Sequence, residues 1–288
     1  MSSKQNRKNI MVTPILKWVG GKRQLLDVIV PLVPKKISTY VEPFIGGGAL
    51  FFNLQPKKAI INDMNVELIN IYNVVKNNPQ ELINKLKEHE KLNTTEYFYS
   101  IRGLDRFDSY DELSSLDKAA RIIYLNKTCY NGLFRVNQAG QFNSPYGKYK
   151  NPNIVNQPAI LAMSHYFNTN EIAMLSGDYK ECLKGLRKGS FVYLDPPYMP
   201  LSTSSSFTGY TENGFDTAQQ KELKEECDKL NSKGIKFMLS NSDHPYLREL
   251  YKDYEIITVK AKRSINSVGN KRGEITEILV INYVRNEI

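Results

Sequence analysis

Residues 39–63 begin Thr39-Tyr40-Val41-Glu42-Pro43-Phe44-Ile45-Gly46-Gly47-Gly48-Ala49-Leu50-Phe51-Phe52 and end Ala59-Ile60-Ile61-Asn62-Asp63. The first four residues read as a short strand and the glycines as a tight turn. Ala49 to Phe52 read as a helix start, and Ala59 to Ile61 as a second strand with an acid at its tip. Strand, glycine turn, helix, strand opens a βαβ nucleotide-binding unit, whose ligand lies outside the carboxyl ends of parallel strands. Gly46 and Gly48 supply G-x-G, but Phe51 stands where a dinucleotide fingerprint has its third glycine. That disfavours a nicotinamide dinucleotide and favours a nucleoside without the pyrophosphate. Asp63 follows Gly46 by 17 residues, near the spacing at which an acid accepts from ribose hydroxyls. Capping a helix over the following NVELIN run is the structural alternative, and ribose binding is the favoured one.

The same α/β rhythm resumes downstream. Residues 171–179 (EIAMLSGDY), 190–198 (SFVYLDPPY) and 234–242 (GIKFMLSNS) are β-rich runs ending in polar residues or proline. Thr217 to Leu230 is a charged amphipathic helix, and YEIITVK and TEILVINY supply two last strands around a basic loop, Lys260 to Gly273. Between the two α/β parts, VELINIYNVVK and ELINKLKEHEKL have helical spacing, and residues 130–152 alternate as a β-hairpin turning near Gln138-Ala139-Gly140. The middle third thus reads as an insertion. The expected division is a discontinuous α/β domain, 1–66 and 156–288, around an inserted segment, 67–155.

Composition narrows the class. The chain has 288 residues, 41% hydrophobic and 24% charged, with 39 Lys and Arg against 30 Asp and Glu, a formal charge of +9. Such a balance suits a polyanionic partner. No apolar run approaches the ~18 residues of a membrane helix. Met1 to Asn9 lack the apolar core of a secretory signal, and residues 1–13 read as a flexible basic arm. A cytoplasmic protein is expected. Three cysteines and three histidines are too scattered for a disulfide framework or a metal site, so no metal is expected.

The strongest chemical motif is Asp195-Pro196-Pro197-Tyr198, at the end of a buried strand. The prolines remove backbone donors and stiffen the chain. The Asp195 carboxylate and the Pro196 carbonyl are pure acceptors, suited to converge on an NH2 group, and Tyr198 can stack on the ring bearing that amine. Trp18 and Lys22 flank Gly20-Gly21, and Lys22 could meet a carboxylate. Asp178-Tyr179 could serve an adenine amine and ring. No acid occurs from Arg121 to Asn170, whereas Arg121, Lys127, Arg135, Lys148 and Lys150 do, interleaved with Tyr124, Tyr130, Tyr146, Tyr149 and Tyr166. A basic, tyrosine-rich hairpin suits phosphate and base contact.

Taken in order, KWVGGK, EPFIGGGALFF, INDMN, a long insertion containing CYNGLFRVNQAGQFNSPYGKYKNP, and DPPY resemble the DNA adenine-N6 methyltransferases of the Dam type, above all the GATC-modifying enzymes of restriction–modification systems. The resemblance runs from about Leu16 to Tyr283. It implies a Rossmann-like sheet, mostly parallel with an antiparallel strand at its end, and an inserted helical plus hairpin DNA-recognition domain. It implies S-adenosylmethionine as methyl donor, double-stranded DNA as substrate, and a possible pairing with a GATC-cutting endonuclease. By resemblance Trp18, Lys22, Phe44, Gly46, Gly48, Asp63, Asp178, Tyr179 and Asp195 fall at cofactor positions, and Asp195, Pro196, Pro197 and Tyr198 at the catalytic motif. Leu133, Arg135 and Pro145 match GATC-reading positions, and Tyr130-Asn131 a duplex-inserting pair, with Lys148 and Lys150 beside them. The expected reaction is methylation of N6 on an extruded adenine, because a paired, stacked base hides that nitrogen. The alternatives are an enzyme of the same fold acting on cytosine N4 or a protein glutamine, and a DNA-binding module without activity.

Overall fold

The computed structural model describes residues 8–18, 20–199, 215–262 and 274–284, without the side chains of 261, 262, 274 and 275. Lys4 and Arg7 of the basic arm, Val19, and Arg263, Lys271 and Arg272 of the basic loop lie outside the described residues. Among the described residues seven strands form one sheet in the order β3-β2-β1-β4-β5-β7-β6. They are β1 (Tyr40–Glu42), β2 (Lys58–Asp63), β3 (Glu171–Ser176), β4 (Phe191–Leu194), β5 (Lys236–Ser242), β6 (Glu255–Lys262) and β7 (Glu274–Ile281). β1 pairs in parallel with β2 and β4, and β4 with β5, whereas β7 runs antiparallel between β5 and β6. The mixed sheet is the expected one: mostly parallel strands with an antiparallel strand at one end.

Helices are α1 (Leu26–Ile29), α2 (Ala49–Leu54), α3 (Val66–Asn77), α4 (Pro79–Lys91), α5 (Thr95–Gly103), α6 (Ser115–Thr128), α7 (Gln157–Thr169), α8 (Thr217–Ser232) and α9 (Pro245–Leu250). Local sequence explains their starts. Asn65 caps α3 by accepting from Leu68 N at 3.1 Å, and Asp216 with Gln219 forms a capping box on α8.

Two compact units result. The described residues of 22–45, 58–64 and 175–288 form a sheet unit, and those of 1–21, 46–57 and 65–174 a helical unit. In the first, Val41, Val192, Leu194, Phe237, Leu239 and Val280 pack with Leu223, Cys227 and Leu230 of α8. All four residues of β4 are buried, which is why FVYL carries no polar alternation. In the second, Phe51, Phe52, Tyr72 and Phe167 interlock their rings.

One expectation from the charge pattern is corrected here. Arg121 on α6 is buried, and so are Tyr124 and Tyr166. Arg121 donates to the carbonyls of Ile101 and Arg102 and pairs with Asp105 at 2.8 Å. The acid that neutralises it lies outside the acid-free stretch, where a local charge count does not see it.

Candidate active site

In the sheet unit the chain crosses from β1 to β2 on one side, while β4 leads to β5 on the other, so the carboxyl ends of β1 and β4 lie side by side at a topological switch point. Open α/β sheets bind ligands there. Glu42 ends β1, and Asp195 is the first residue beyond β4. Lys22 Nζ meets Asp195 Oδ1 at 2.8 Å, with both side chains largely buried, and lies 4.4 Å from the centroid of the Tyr198 ring. Burial pushes the Asp195 carboxyl up to about 6, and the Lys22 ammonium opposes that rise; nearby Glu277 adds to it.

The rest of the motif is tied down by β5, parallel to β4, and by the antiparallel β7. Tyr198 donates its hydroxyl to Glu277 Oε2 at 2.6 Å, and Ser240 Oγ lies 2.6 Å from the same phenol oxygen. Met199 N donates to Asn241 Oδ1 at 3.2 Å, and Ser242 Oγ donates to Met199 O at 2.8 Å. None of these partners was singled out from sequence. Their signal was present, since Ser240-Asn241-Ser242 and Glu277 are polar residues inside apolar strand runs, where a polar group must find a partner.

The loops after β1, β2 and β3 are joined by Asn62. Its Nδ2 donates to Pro43 O at 3.0 Å and to Gly177 O at 2.9 Å, and Gly177 N donates to Asp63 O at 3.1 Å. The buried Asn62 Oδ1 keeps an acceptor with no hydrogen-bond partner among the described residues. Phe44 stacks on Tyr179 with centroids 5.1 Å apart. Tyr179 is buried, whereas Asp178 is exposed and caps the following turn by accepting from Lys180 N at 2.9 Å. The cap of α3 is Asn65, so Asp63 is not engaged as that helix cap.

The helical unit holds the remaining candidates. Gly46 and Gly48 have φ of +47° and +68°, the left-handed region that disfavours any side chain. A Cβ on Gly46 would meet Trp18 Cδ1 at 3.0 Å. Trp18 thus covers the glycine turn, and it stacks on Phe134 at 4.8 Å.

Phe134 belongs to the hairpin, which closes through the bridges Cys129↔Tyr146 and Val136↔Phe142 with its turn over residues 137–141. Tyr130, Asn131, Arg135, Pro145, Lys148 and Lys150 are exposed on it, and Leu133 is half-buried. Asn131 takes a positive φ of +58° and donates its backbone N–H to Tyr149 Oη at 2.9 Å. Arg135 donates Nε to Asn143 Oδ1 at 2.6 Å and Nη2 to Asn143 O at 3.3 Å. Asn143 is neutral, so these bonds orient the guanidinium without cancelling its charge.

The profile of the D12 class of N6 adenine-specific DNA methyltransferases matches residues 18–265. The type II methyltransferase M1.LlaDCHI of Lactococcus lactis subsp. cremoris is 48% identical over 277 residues, covering 96% of this chain and 98% of that one. The type II methyltransferase M.MjaIII of Methanocaldococcus jannaschii is 42% identical, covering 94% and 99%. The DNA adenine methylase of Salmonella typhi is 36% identical, covering 92% and 94%. With its acceptor-rich DPPY motif at the sheet's switch point and this match along most of its length, the chain belongs to the D12 class of N6 adenine-specific DNA methyltransferases.

Proposed function

We propose that the protein methylates N6 of an extruded adenine in duplex DNA, within GATC, using S-adenosylmethionine. The observation that carries this reading is the Asp195 carboxylate, buried and held at one oxygen by Lys22 2.8 Å away. Its second oxygen and the Pro196 carbonyl would then accept hydrogen bonds from the two N6–H groups and so turn the nitrogen lone pair toward the methyl donor. Lys22 keeps the carboxylate oriented and ionised. Tyr198 stacks on the extruded ring and so offsets part of the unstacking cost, a few kcal/mol.

The residues present fit a nucleoside donor. Asp63 at the end of β2 accepts from ribose hydroxyls. The open Asn62 Oδ1 and the exposed Asp178 carboxylate add acceptors where the loops converge, and Phe44 adds an apolar ring. When bound, S-adenosylmethionine supplies a methyl carbon already activated by its cationic sulfur, so the chain needs no nucleophile of its own. Its three cysteines are buried, and burial raises the thiol of each. What the protein contributes is position and a water-poor setting for developing charge.

The assignment of residues 67–155 to target recognition, and of the flanking segments to catalysis, belongs to the same proposal. Arg135 spends two of its N–H donors on Asn143 and keeps others for a guanine edge, with Leu133 and Pro145 beside it. Tyr130 and Asn131 form the exposed tip that enters the duplex, and Lys148 and Lys150 contact phosphates. Partnership with a GATC-cutting nuclease and a cytoplasmic site of action accord with this role.

The test is transfer of label from S-adenosylmethionine to an adenine-methylation-free plasmid, followed by digestion with GATC-cutting nucleases of opposite methylation sensitivity and analysis of the methylated nucleoside. N6-methyladenine with the matching protection pattern supports the reading. Label in another sequence removes GATC, and label on cytosine or none on DNA removes the acceptor.

A further inference from the structure

We infer that Glu277 is a positioning residue for the transfer, acting through the phenol of Tyr198. The inference deepens the proposed function and rests on its assignment of Tyr198 as the stacking platform. Glu277 stands on β7, 79 residues from Tyr198 in sequence and outside every motif, yet its buried carboxylate accepts the Tyr198 hydroxyl at 2.6 Å.

The hydrogen-bond directions are dictated by chemistry. The phenol donates to Glu277 Oε2, so its single proton is spent there. Ser240, 2.6 Å from the phenol oxygen, must then be the donor to it. The far end of the ring is therefore held from two strands, β5 and β7, while the Lys22 ammonium lies 4.4 Å from the ring centroid. An aromatic ring stacks usefully only in the plane that the reacting base must occupy. A phenyl ring without the hydroxyl contact can pivot about its two side-chain torsions.

A buried Glu in a central strand is costly to keep unless it is paired. Here the pairing it makes is with the motif tyrosine. Fold alone does not demand a carboxylate at this place, since the following Ile278 and Leu279 carry the strand's apolar character.

The experiment compares Glu277→Ala, Glu277→Gln and Tyr198→Phe with wild type, and adds the Tyr198→Phe/Glu277→Ala double variant. Single-turnover methyl transfer, KM for S-adenosylmethionine, and the fluorine resonance of 3-fluorotyrosine placed at position 198 are measured. Glu277→Ala lowers the transfer rate roughly tenfold, toward the hundredfold that a misplaced reacting group can cost, with KM for the donor unchanged. Glu277→Gln, which keeps an acceptor, restores most of the rate. Adding Glu277→Ala to Tyr198→Phe costs nothing further, because the contact is already gone. The fluorine resonance, adjacent to the phenol oxygen, moves in Glu277→Ala and stays near wild type in Glu277→Gln.

Additive losses, an equal defect in Glu277→Gln, or an unmoved resonance overturns the inference. Should Glu277→Ala not fold, Tyr198→Phe decides alone, and a wild-type rate in that variant refutes the positioning role. An inactive wild type whose resonance still follows Glu277 refutes the proposed function and leaves the contact standing.

Discussion

The loop after β4, where we place catalysis, and the hairpin of residues 129–150, where we place the reading of DNA, are built in opposite ways. In the loop, charge is buried and paired: Asp195 with Lys22, and the Tyr198 phenol with Glu277 of the antiparallel strand β7. In the hairpin, charge is exposed and held by a neutral partner, Arg135 on Asn143, and the neutral tip residue Asn131 is fixed through its backbone N–H on the Tyr149 hydroxyl. A reacting centre gains from fixed dipoles and little water, because rearranging them during the reaction would add to the barrier. A reader of DNA has to keep its charge uncompensated until a polyanion arrives. The two regions differ because a buried charge must be satisfied inside the protein, whereas a recognition charge must not be.

The largest expected effect separates the two regions outright. Asp195→Ala lowers methyl transfer at least ~1,000-fold, in line with losing an electrostatic stabiliser at the reacting atom, while duplex binding stays within about threefold. Single-turnover kinetics and a binding titration on the same preparation check it, and near-normal turnover would sink the proposed mechanism.

The next effect is on pH. Asp195 accepts only when ionised, and burial has raised its carboxyl to about 6, so kcat/KM falls about tenfold per unit below pH 6 and is flat above it. The folded carboxyl keeps its proton up to about pH 6, whereas the unfolded one releases it near about 4. Across that window this group lowers stability as pH rises, so activity climbs while its contribution to stability declines. A rate profile that stays flat down to pH 5 removes Asp195 from the acceptor's role.

The hairpin's version of the test is Arg135→Ala. Discrimination between GATC and sites altered at one guanine drops by about 1–3 kcal/mol, while non-specific affinity at fixed salt changes much less. Equal loss on both kinds of site would make Arg135 a phosphate contact and blur the contrast.

The smallest effect distinguishes Asp63 from its neighbour. Asn65→Ala lowers stability by about 1 kcal/mol through loss of the α3 cap, with KM for the methyl donor unchanged. Asp63→Ala raises that KM with little change in Tm. The reverse outcome, read by thermal melts and donor titrations, would return Asp63 to a structural role.

How much could be read in advance follows from where each signal resides. The glycine turn, the strands on either side and DPPY are local statements about backbone freedom and donor count, and they appear as expected in β1, α2, β2 and β4. The acid-free stretch was read too broadly. Arg135, Lys148 and Lys150 are on the surface, but Arg121 is buried against Asp105, because helix α6 turns that face inward. Ser240 and Glu277 were visible only as polar interruptions in apolar runs, with nothing in the chain to say that both would face Tyr198.

The sequence by itself determined the class of fold and the family, because residue types and short spacings state which backbone turns and which donors and acceptors exist. Tertiary structure alone decided who meets whom. Placing β7 antiparallel between β5 and β6 brings Glu277 beside Ser240 and Tyr198, and the turn of residues 22–25 sets Lys22 on Asp195 just beyond β4. Those contacts join residues dozens to well over a hundred positions apart, and they depend on the hydrogen-bond register of a sheet, which no local pattern specifies.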